Sequence, residues 1–516
     1  MVSEKWRKLQ NGSDIRGFAL PGVDDHEINL TPEVVRIIAA AFVAWIIKTK
    51  NKPVKETCIS VGHDSRLSAL SLKKAIIQGI TQMGCRVFDC GLASTPAMFI
   101  STITPGHKYD GAIMITASHL PFNRNGMKFF TNQGGLEKQD ITEILSLAEK
   151  GAFQYAQNPG HVEEIDIMSV YANLMVEQIR QEVCHPRNRL QPLFGFKVIV
   201  DAGNGVGGFF VDKVLQPLGA DTKGSQFLDP DGSFPNHIPN PEDPVAMQSI
   251  SQAVLKYKAD LGIIFDTDVD RASVVDNTGK EINRNRLIAL MSAIVIEEHP
   301  GSTIVTDSIT STGLKTFIEK ELGGVHHRFK RGYKNVINEA IRLNNEEIET
   351  NLAIETSGHG ALKENYFLDD GAYMIAKILI KMAKLKLESD KTIGSLIETL
   401  EEPLESREFR LNIEIDDFRP YGEKVLTDLR EYITEMPGAT IEPENYEGIR
   451  VSFDQNNGDG WFLLRMSLHD PLMPLNIESN VPGGIKIIVS KLLPFLNNYQ
   501  SLNSSTLDKY LHSSLS

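Results

Sequence analysis

Short apolar segments that each end in a polar loop recur along this chain, and helical segments separate them. We expect strands at 57–61, 86–90, 111–115, 196–200, 259–265, 302–306 and 351–354. Helices are predicted at 31–47, 71–83 and 209–218, the first starting at Thr31-Pro32 with a hydroxyl N-cap and a proline in its first turn. Strands that alternate with helices predict a layered α/β architecture. After Glu398 the pattern changes to alternating strands, which predicts an α+β section.

Charge and composition exclude several classes of protein. The 516 residues carry a net charge of −14, which disfavours nucleic-acid binding because a phosphate backbone requires a basic face. The longest apolar stretch, 34–47, contains Arg36 and is shorter than the roughly 20 residues needed to span a bilayer, so no membrane partner is expected. Four cysteines without a CxxC pair favour a reducing compartment. The N-terminal MVSEKWRKLQ has no apolar signal core. We therefore expect the cytoplasm, with a plastid stroma as the alternative.

The loop TASHLP follows the predicted strand 111–115. It places Ser118 at its apex with His119 beside it, and Lys128 lies ten residues beyond Ser118. Two interpretations stay open for this loop alone: a hydroxyl-rich turn, or a serine that carries a phosphoryl group.

The loop DTDVDR follows the apolar segment LGIIF. Asp266, Asp268 and Asp270 alternate along it, and Arg271 follows. Carboxylate oxygens suit Mg²⁺, and an adjacent arginine suits a phosphate. An EF-hand is excluded, because its glycine and glutamate positions hold Arg271 and Asn277. A haloacid-dehalogenase-type phosphatase, with Asp266 as nucleophile and Asp268 as acid/base, stays a minor alternative.

Two further loops carry polar side chains suited to ligands. ETSGH offers Glu355, Ser357 and His359 to vicinal hydroxyls, and RMSLHDP offers Arg465 and Ser467 to a phosphate. For each loop alone, a solvated turn or strand end is an equally good interpretation. The run GNGVGG also matches GxGxxG, with Asp221 or Asp229 downstream. Dinucleotide binding is therefore a weak alternative to glycines that permit a tight turn and close packing.

Taken together and in this order, the four loops resemble those of the α-D-phosphohexomutase superfamily, phosphoglucomutase/phosphomannomutase type. TASHLP followed by NGMK resembles the family's phosphoserine loop, DTDVDR its DGDxDR metal loop and ETSGH its GExSGH sugar loop. RMSLHDP stands where the family has a phosphate loop such as RPSGTEP. Supporting matches are DIRG at 14–17, GHDSRLS at 62–68, DAGNGVGG, FPNHIPNP and Asp370-Gly371.

The resemblance implies four domains around a central cleft: three similar mixed α/β domains and a C-terminal α+β domain. The expected bounds are 1–165 with the phosphoserine loop, 166–284 with the metal loop, 285–400 with the sugar loop and 401–516 with the phosphate loop. It also implies a monomer or weak dimer that acts on phosphosugars.

The activity implied is the interconversion of hexose 1-phosphate and hexose 6-phosphate, for glucose, mannose or both. The implied cofactors are one Mg²⁺, a phosphoserine at Ser118 and a hexose 1,6-bisphosphate as activator or intermediate. The resemblance also implies three groups of site residues: Ser118, His119, Lys128, Arg16 and Arg271 for catalysis; Ser118, Asp266, Asp268 and Asp270 for the metal; Lys334, Glu355, Ser357, His359, Arg465, Ser467 and His469 for substrate.

Three departures from the family pattern bear on the activity. Thr267 replaces a glycine in the metal loop, and the sugar loop reads AIETSGH rather than GGExSGH. In the phosphate loop, Leu468-His469 replaces Gly-Thr, which removes a small residue and a hydroxyl donor. A weaker hold on the distal phosphate favours release of the bisphosphate. A glucose-1,6-bisphosphate synthase that uses a sugar bisphosphate donor is therefore the main alternative, and a degenerate regulatory paralogue is a minor one.

Overall fold

The computed structural model describes residues 2–22, 26–389, 391–467 and 470–512. The chain divides into two compact units. The first comprises residues 1–294 and 357–396, and the second comprises residues 295–356 and 397–516.

The first sheet lies in the first unit and has eight strands in the order β1-β2-β6-β5-β3-β4-β8, with β7 paired to β6. Its strands are β1 (Gln10–Asn11), β2 (Asp14–Phe18), β3 (Cys58–His63), β4 (Arg86–Leu92), β5 (Gly111–Ile115), β6 (Arg124–Thr131), β7 (Gly134–Gly135) and β8 (Val162–Glu164). Strand β3 pairs in parallel with β4 and β5, and β5 pairs antiparallel with β6. The predicted mixed α/β sheet is confirmed.

The second sheet, also in the first unit, has the order β12-β11-β10-β9. Its strands are β9 (Val198–Asp201), β10 (Leu261–Phe265), β11 (Ala272–Asp276) and β12 (Glu281–Ile282). Strands β9 and β10 are parallel, and β10 and β11 are antiparallel.

The second unit contains β13 (Thr303–Thr306), β14 (Val325–Arg328) and β15 (Thr350–Ile354), with β13 parallel to both of the others. In the first unit, β16 (Gly360–Leu362) and β17 (Leu368–Asp369) form an antiparallel pair. The C-terminal section has the sheet order β19-β20-β21-β22-β18-β23. Its strands are β18 (Glu405–Ile413), β19 (Ala439–Ile441), β20 (Ile449–Phe453), β21 (Gly460–Leu464), β22 (Leu472–Ser479) and β23 (Leu502–Asn503). This antiparallel sheet with helices confirms the predicted α+β section.

The described residues form fourteen α-helices. They are α1 (Glu4–Arg7), α2 (Pro32–Lys50), α3 (Ala69–Gln82), α4 (Thr95–Ile103), α5 (Lys138–Lys150), α6 (Ile167–Val183), α7 (Pro244–Tyr257), α8 (Arg284–Glu298), α9 (Thr312–Thr316), α10 (Tyr333–Asn345), α11 (Gly371–Glu388), α12 (Phe418–Thr434), α13 (Gly484–Leu496) and α14 (Ser505–His512). Among the described residues, no helix combines the length and the apolar character needed to cross a membrane.

Helix α2 shows how local sequence and core packing agree. The Thr31 hydroxyl accepts a hydrogen bond from the Val34 amide, Pro32 stands in the first turn, and the predicted start is confirmed. Ile38 and Phe42 on this helix are fully buried in the core of the first sheet. The helix extends three residues past the predicted end and stops at Asn51, which has a left-handed φ of 48°.

The helix predicted at 209–218 differs from the expectation. Residues Val211–Leu215 form a π-helical segment, in which the Gln216 amide donates to the Val211 carbonyl at 3.0 Å. Pro217 lacks a backbone N–H, and Gly219 adopts a φ of 88°. A regular helix therefore cannot continue through this point.

Candidate active site

Ser118 lies in the loop that follows β5 and has a left-handed φ of 49°, uncommon for a residue with a side chain. It is 8% exposed. Its Oγ donates to Asp266 Oδ2 at 2.8 Å and accepts from the Arg271 guanidinium at 3.0 Å. The serine predicted at the loop apex is therefore hydrogen-bonded to the first residue and the last residue of the DTDVDR loop.

Arg66 holds the backbone of the serine loop. Its guanidinium donates to the carbonyl oxygens of Ser118, Leu120 at 2.7 Å, Pro121 at 2.9 Å and Arg124 at 3.0 Å. This role of Arg66 was not predicted, because GHDSRLS served only to support the family resemblance. One sequence signal could have indicated it: Arg66 is a charged residue in the loop directly after a strand. Because β3 and β5 are parallel, their carboxyl ends and the loops that follow them lie at the same edge of the sheet.

The three aspartates of the acidic loop gather at one point, as predicted. Asp266, Asp268 and Asp270 are at most 1% exposed, and each offers a carboxylate oxygen that lies within 4.8 Å of the others. Val269 between them has a φ of 67°, which turns the chain. Among the described residues, neither Asp268 Oδ1 nor Asp270 Oδ1 has a hydrogen-bond partner, although both atoms are buried. Two unpaired carboxylate oxygens beside a third carboxylate fit a hard divalent cation such as Mg²⁺.

Cations flank this cluster. Lys128 Nζ donates to Asp270 Oδ2 and, at 3.3 Å, to Asp268 Oδ2. Burial alone would raise the pKa of Asp270, but Lys128 beside it holds that pKa well below its ordinary value. Burial, with the carboxylates of Asp270 and Asp268, raises the pKa of Asp266 well above its ordinary value. The two shifts have opposite directions because Lys128 lies beside Asp270, whereas two other carboxylates lie beside Asp266.

His119 and Arg16 lie on either side of the serine. The Arg271 guanidinium donates to His119 Nδ1 at 2.7 Å. His119 is exposed, yet desolvation by nearby protein atoms and the charge of Arg271 lower its pKa, so we expect a neutral imidazole at pH 7. Arg16 donates to Asp14 at 2.9 Å and to the carbonyl of Thr116 at 2.5 Å, two residues before the serine.

The ETSGH loop is divided between the two units. In the first unit, His359 Nδ1 lies 2.6 Å from Asp369 Oδ2, and Arg271 forms an isolated β-bridge with His359. Burial would lower the pKa of His359, but the carboxylates of Asp369 and Asp270 outweigh it and raise that pKa to about 9. The buried hydroxyl of Ser357 has no hydrogen-bond partner among the described residues.

The remaining predicted substrate residues belong to the second unit. Glu355 Oε1 accepts from the Gly332 amide at 2.6 Å, and Lys334 stands in the first turn of α10. Arg465 follows β21, is 7% exposed and lies 3.6 Å from Glu447. Glu447 also accepts from the Arg331 amide at 3.1 Å, and sequence analysis missed it for lack of any motif. The Ser467 hydroxyl accepts from the Asp470 amide at 3.2 Å, while Leu468 and His469 lie outside the described residues.

The glycines of GNGVGG are explained by close packing. The Val206 amide donates to the Thr267 carbonyl at 2.9 Å, and a Cβ on Gly205 would lie 2.6 Å from that same oxygen. This loop therefore supports the acidic loop directly, which is the packing interpretation of the GxGxxG match.

Most of the chain is similar in sequence to known proteins. The profiles described as phosphoglucomutase/phosphomannomutase, alpha/beta/alpha domains I, II and III, match residues 7–155, 171–279 and 283–403. A phosphoglucomutase of Neisseria meningitidis serogroup A is 31% identical over 466 residues, 90% of this chain and 94% of that protein. A phosphomannomutase/phosphoglucomutase of Pseudomonas aeruginosa is 30% identical over 457 residues, 87% of this chain and 89% of that protein.

A solved structure agrees with these sequence relatives. A phosphoglucomutase/phosphomannomutase family protein from Burkholderia thailandensis superimposes with a TM-score of 0.77 at 26% identity, covering 97% of this chain and 98% of that one. The α/β fold and the serine, carboxylate and arginine constellation define a phosphotransferase of the mutase class. This chain belongs to the phosphoglucomutase/phosphomannomutase family. The domain bounds 1–165, 166–284, 285–400 and 401–516 stay a prediction.

Proposed function

We propose that this chain interconverts hexose 1-phosphate and hexose 6-phosphate, with glucose, mannose or both as the hexose. The observation that carries the proposal is the Ser118 hydroxyl, buried in a left-handed loop and hydrogen-bonded to both Asp266 and Arg271. A buried hydroxyl with a carboxylate and a guanidinium on either side is suited to carry a phosphoryl group, because positioning and charge neutralisation dominate this chemistry.

The reaction uses Ser118 Oγ twice. In the first transfer the P–O bond to Ser118 breaks as a P–O bond to a hexose hydroxyl oxygen forms, and the proton of that hydroxyl ends on Ser118 Oγ, giving the hexose 1,6-bisphosphate. After the bisphosphate turns over, its other phosphoryl group moves to Ser118 Oγ, and the serine proton ends on the hexose oxygen that is released. The product is the isomeric monophosphate, and the phosphoserine is restored, so atoms and charge balance over the cycle.

Asp266, Asp268 and Asp270 would hold one Mg²⁺, with an oxygen on Ser118 as a further ligand; when bound, the ion neutralises charge on the phosphoryl oxygens. Arg271 and Lys128 supply fixed positive charge next to these carboxylates. His119, kept neutral by its surroundings and accepting from Arg271 through Nδ1, carries its proton on Nε2 and is suited to donate a hydrogen bond rather than to act as a cation. Arg16 keeps the strand end before Ser118 in place through the Thr116 carbonyl.

Substrate contacts are assigned to the other two loops. Glu355, Ser357 and His359 would bind sugar hydroxyls, and Lys334 would contact the substrate. Arg465, Ser467 and His469 would hold the phosphate that is not reacting. The support for this part is the family pattern together with the buried, unpartnered hydroxyl of Ser357 and the buried guanidinium of Arg465.

Two further expectations belong to this proposal. We expect a monomer or weak dimer, measurable by sedimentation velocity. We expect the protein to act in the cytoplasm, and its four cysteines without a disulfide are consistent with a reducing compartment.

The test is ³¹P NMR of the protein with Mg²⁺, glucose 1-phosphate and a trace of glucose 1,6-bisphosphate. We expect many turnovers to glucose 6-phosphate, and none with Ser118→Ala. Ser292→Ala is the matched control, because Ser292 is fully buried and its hydroxyl has no hydrogen-bond partner among the described residues. Full activity of Ser118→Ala would contradict the proposal. A phosphoenzyme that resists neutral hydroxylamine supports phosphoserine, whereas an acyl phosphate on Asp266, which hydroxylamine cleaves, would support the phosphatase alternative.

A glucose-1,6-bisphosphate synthase is the second candidate, favoured by Leu468-His469 in the distal phosphate loop. Loss of one hydrogen bond to a charged phosphate, worth about 1.5–3 kcal/mol, speeds release of the bisphosphate roughly 10-fold or more. With fructose 1,6-bisphosphate as donor, a synthase accumulates glucose 1,6-bisphosphate, and a mutase keeps that pool small. Leu468→Gly combined with His469→Thr should raise mutase turnover relative to bisphosphate release, and an unchanged ratio would show that this loop does not set the outcome.

A further inference from the structure

Helix α4 begins directly beside the acidic loop. The Ser94 hydroxyl caps the helix by accepting from the Ala97 amide, and the Thr95 amide donates to the backbone carbonyl of Asp268 at 2.9 Å. Amides in the first turn of a helix have no partner within the helix, so this bond satisfies one of them with the acidic loop. The partly positive end of α4 therefore lies next to the Asp268 carboxylate.

The side chain of Thr95 makes a second bond to the same residue. Its hydroxyl donates to Asp268 Oδ2 at 2.5 Å, and both side chains are buried, Thr95 at 3% and Asp268 at 0% exposure. Lys128 Nζ also reaches Oδ2, whereas Oδ1 of the same carboxylate has no hydrogen-bond partner among the described residues. One oxygen of Asp268 is therefore held by the protein, and the other is left for a ligand.

We propose that Thr95 is a positioning residue that fixes the Asp268 carboxylate with its Oδ1 directed at the divalent cation. This inference rests on the proposed function, which places that cation among the three aspartates. A carboxylate bound through one oxygen can rotate about χ2, and a rigid donor on the other oxygen removes this freedom. The Thr95 hydroxyl is such a donor, because the backbone amide of Thr95 is already bonded to the Asp268 carbonyl and holds this residue in place. Loss of such a supporting hydrogen bond costs about 10–100-fold in metal affinity.

The experiment measures Mg²⁺ binding by isothermal titration calorimetry on the dephosphorylated full-length protein. Thr95→Val keeps the shape of the side chain and removes the hydroxyl, and we expect a dissociation constant raised about 10–100-fold. Thr95→Ser keeps the hydroxyl, and we expect a change of less than about 3-fold. Thr102→Val is the matched control, because Thr102 is also buried on α4 but donates to the Phe99 carbonyl of its own helix.

Kinetics provide a readout that general damage to the fold would not give. We expect Thr95→Val to need more Mg²⁺ for half-maximal turnover and to recover kcat to within about 3-fold at saturating Mg²⁺. If Thr95→Val does not fold, as judged by thermal unfolding, Thr95→Ala is measured in its place.

Three results would overturn the inference. Wild-type Mg²⁺ affinity in a folded Thr95→Val protein would overturn the role of Thr95 and leave the metal site intact. Equal losses in Thr95→Ser and Thr95→Val, or in Thr102→Val, would assign the effect to packing rather than to the hydroxyl. Absence of Mg²⁺ binding by the wild-type protein would overturn the metal assignment of the proposed function together with this inference.

Discussion

Arg66 holds the backbone of the Ser118 loop, in which it does not itself lie. Ser118 has a left-handed φ, and no glycine at this position relieves the strain. Four carbonyl oxygens of the loop accept from the buried Arg66 guanidinium, which is 2% exposed, and Asp64 lies 3.3 Å from its Nε. Only a planar guanidinium presents enough donors in a fixed fork for such an arrangement.

Arg66→Lys is therefore expected to lower kcat about 10–100-fold, because an ammonium cannot reach all of these carbonyls and a misplacement of about 1 Å can cost 100-fold in rate. Steady-state kinetics measure the loss, and intact mass gives the phosphorylated fraction of the protein. Arg36→Lys on α2 is the control, since Arg36 pairs with Glu33 and Gln82. Turnover of Arg66→Lys within about 3-fold of wild type would show that the loop keeps its shape without the fork.

At the scale of elements, a buried ion pair joins the end of β9 to the loop at 235–243. His237 Nε2 lies 3.0 Å from both carboxylate oxygens of Asp201, and Asp201 also accepts from the Gly203 amide. Three residues beyond His237, Asn240 accepts from the Arg271 guanidinium at 3.1 Å. The pair thus helps to fix the loop that positions Arg271.

Burial alone would lower the pKa of His237, but the Asp201 carboxylate outweighs it and raises that pKa above its ordinary value of 6.5. The folded state therefore binds this proton more tightly than the unfolded state. The resulting stability is fully present below about pH 6.5 and is lost as the pH rises through the raised pKa. We expect the difference in unfolding free energy between wild type and His237→Gln to shrink from pH 6 to pH 8.5, measured by urea unfolding. A difference that grows with pH would contradict the assignment.

At the scale of the whole molecule, we expect the acidic cluster to make stability depend on a bound cation. Three carboxylates lie within one buried cluster of the first unit, with two oxygens that no described group satisfies. Like charges packed this closely destabilise the folded state, and a bound cation removes that cost. We therefore expect metal binding and folding to be coupled.

Mg²⁺ at 100 times its dissociation constant is expected to stabilise the folded protein by about 2.7 kcal/mol, and EDTA is expected to abolish the gain. Differential scanning calorimetry with and without Mg²⁺ measures the shift. Asp268→Asn should reduce the response to Mg²⁺, while Asp212→Asn, at an exposed position on the π-helical segment, should retain it. An equal response in both variants would place the stabilising Mg²⁺ elsewhere.

The sequence by itself determined the parts of this protein that lie within one short segment. Local periodicity predicts the alternation of strands and helices and the α+β section. Ser118 lies in one short loop after a strand, and the three aspartates lie together in another. The π-helical turn at Val211–Leu215 was missed, because a regular helix and a π-helix draw on the same residue preferences and differ only in hydrogen-bond register.

Only the tertiary structure decided which residues, distant in the sequence, contact the Ser118 loop and the acidic loop. Thr95 and Asp268 are 173 residues apart, and Lys128 and Asp270 are 142 apart, so no periodicity or spacing links them. Parallel pairing of β3 with β4 and β5 brings Arg66, Thr95 and Ser118 to one edge of the first sheet, at the carboxyl ends of these strands. Burial strengthens each of these contacts, because an unpaired polar group destabilises the folded state most where water is excluded. Sequence motifs identify the proposed reacting groups, whereas the pairing of strands determines which other residues lie beside these groups.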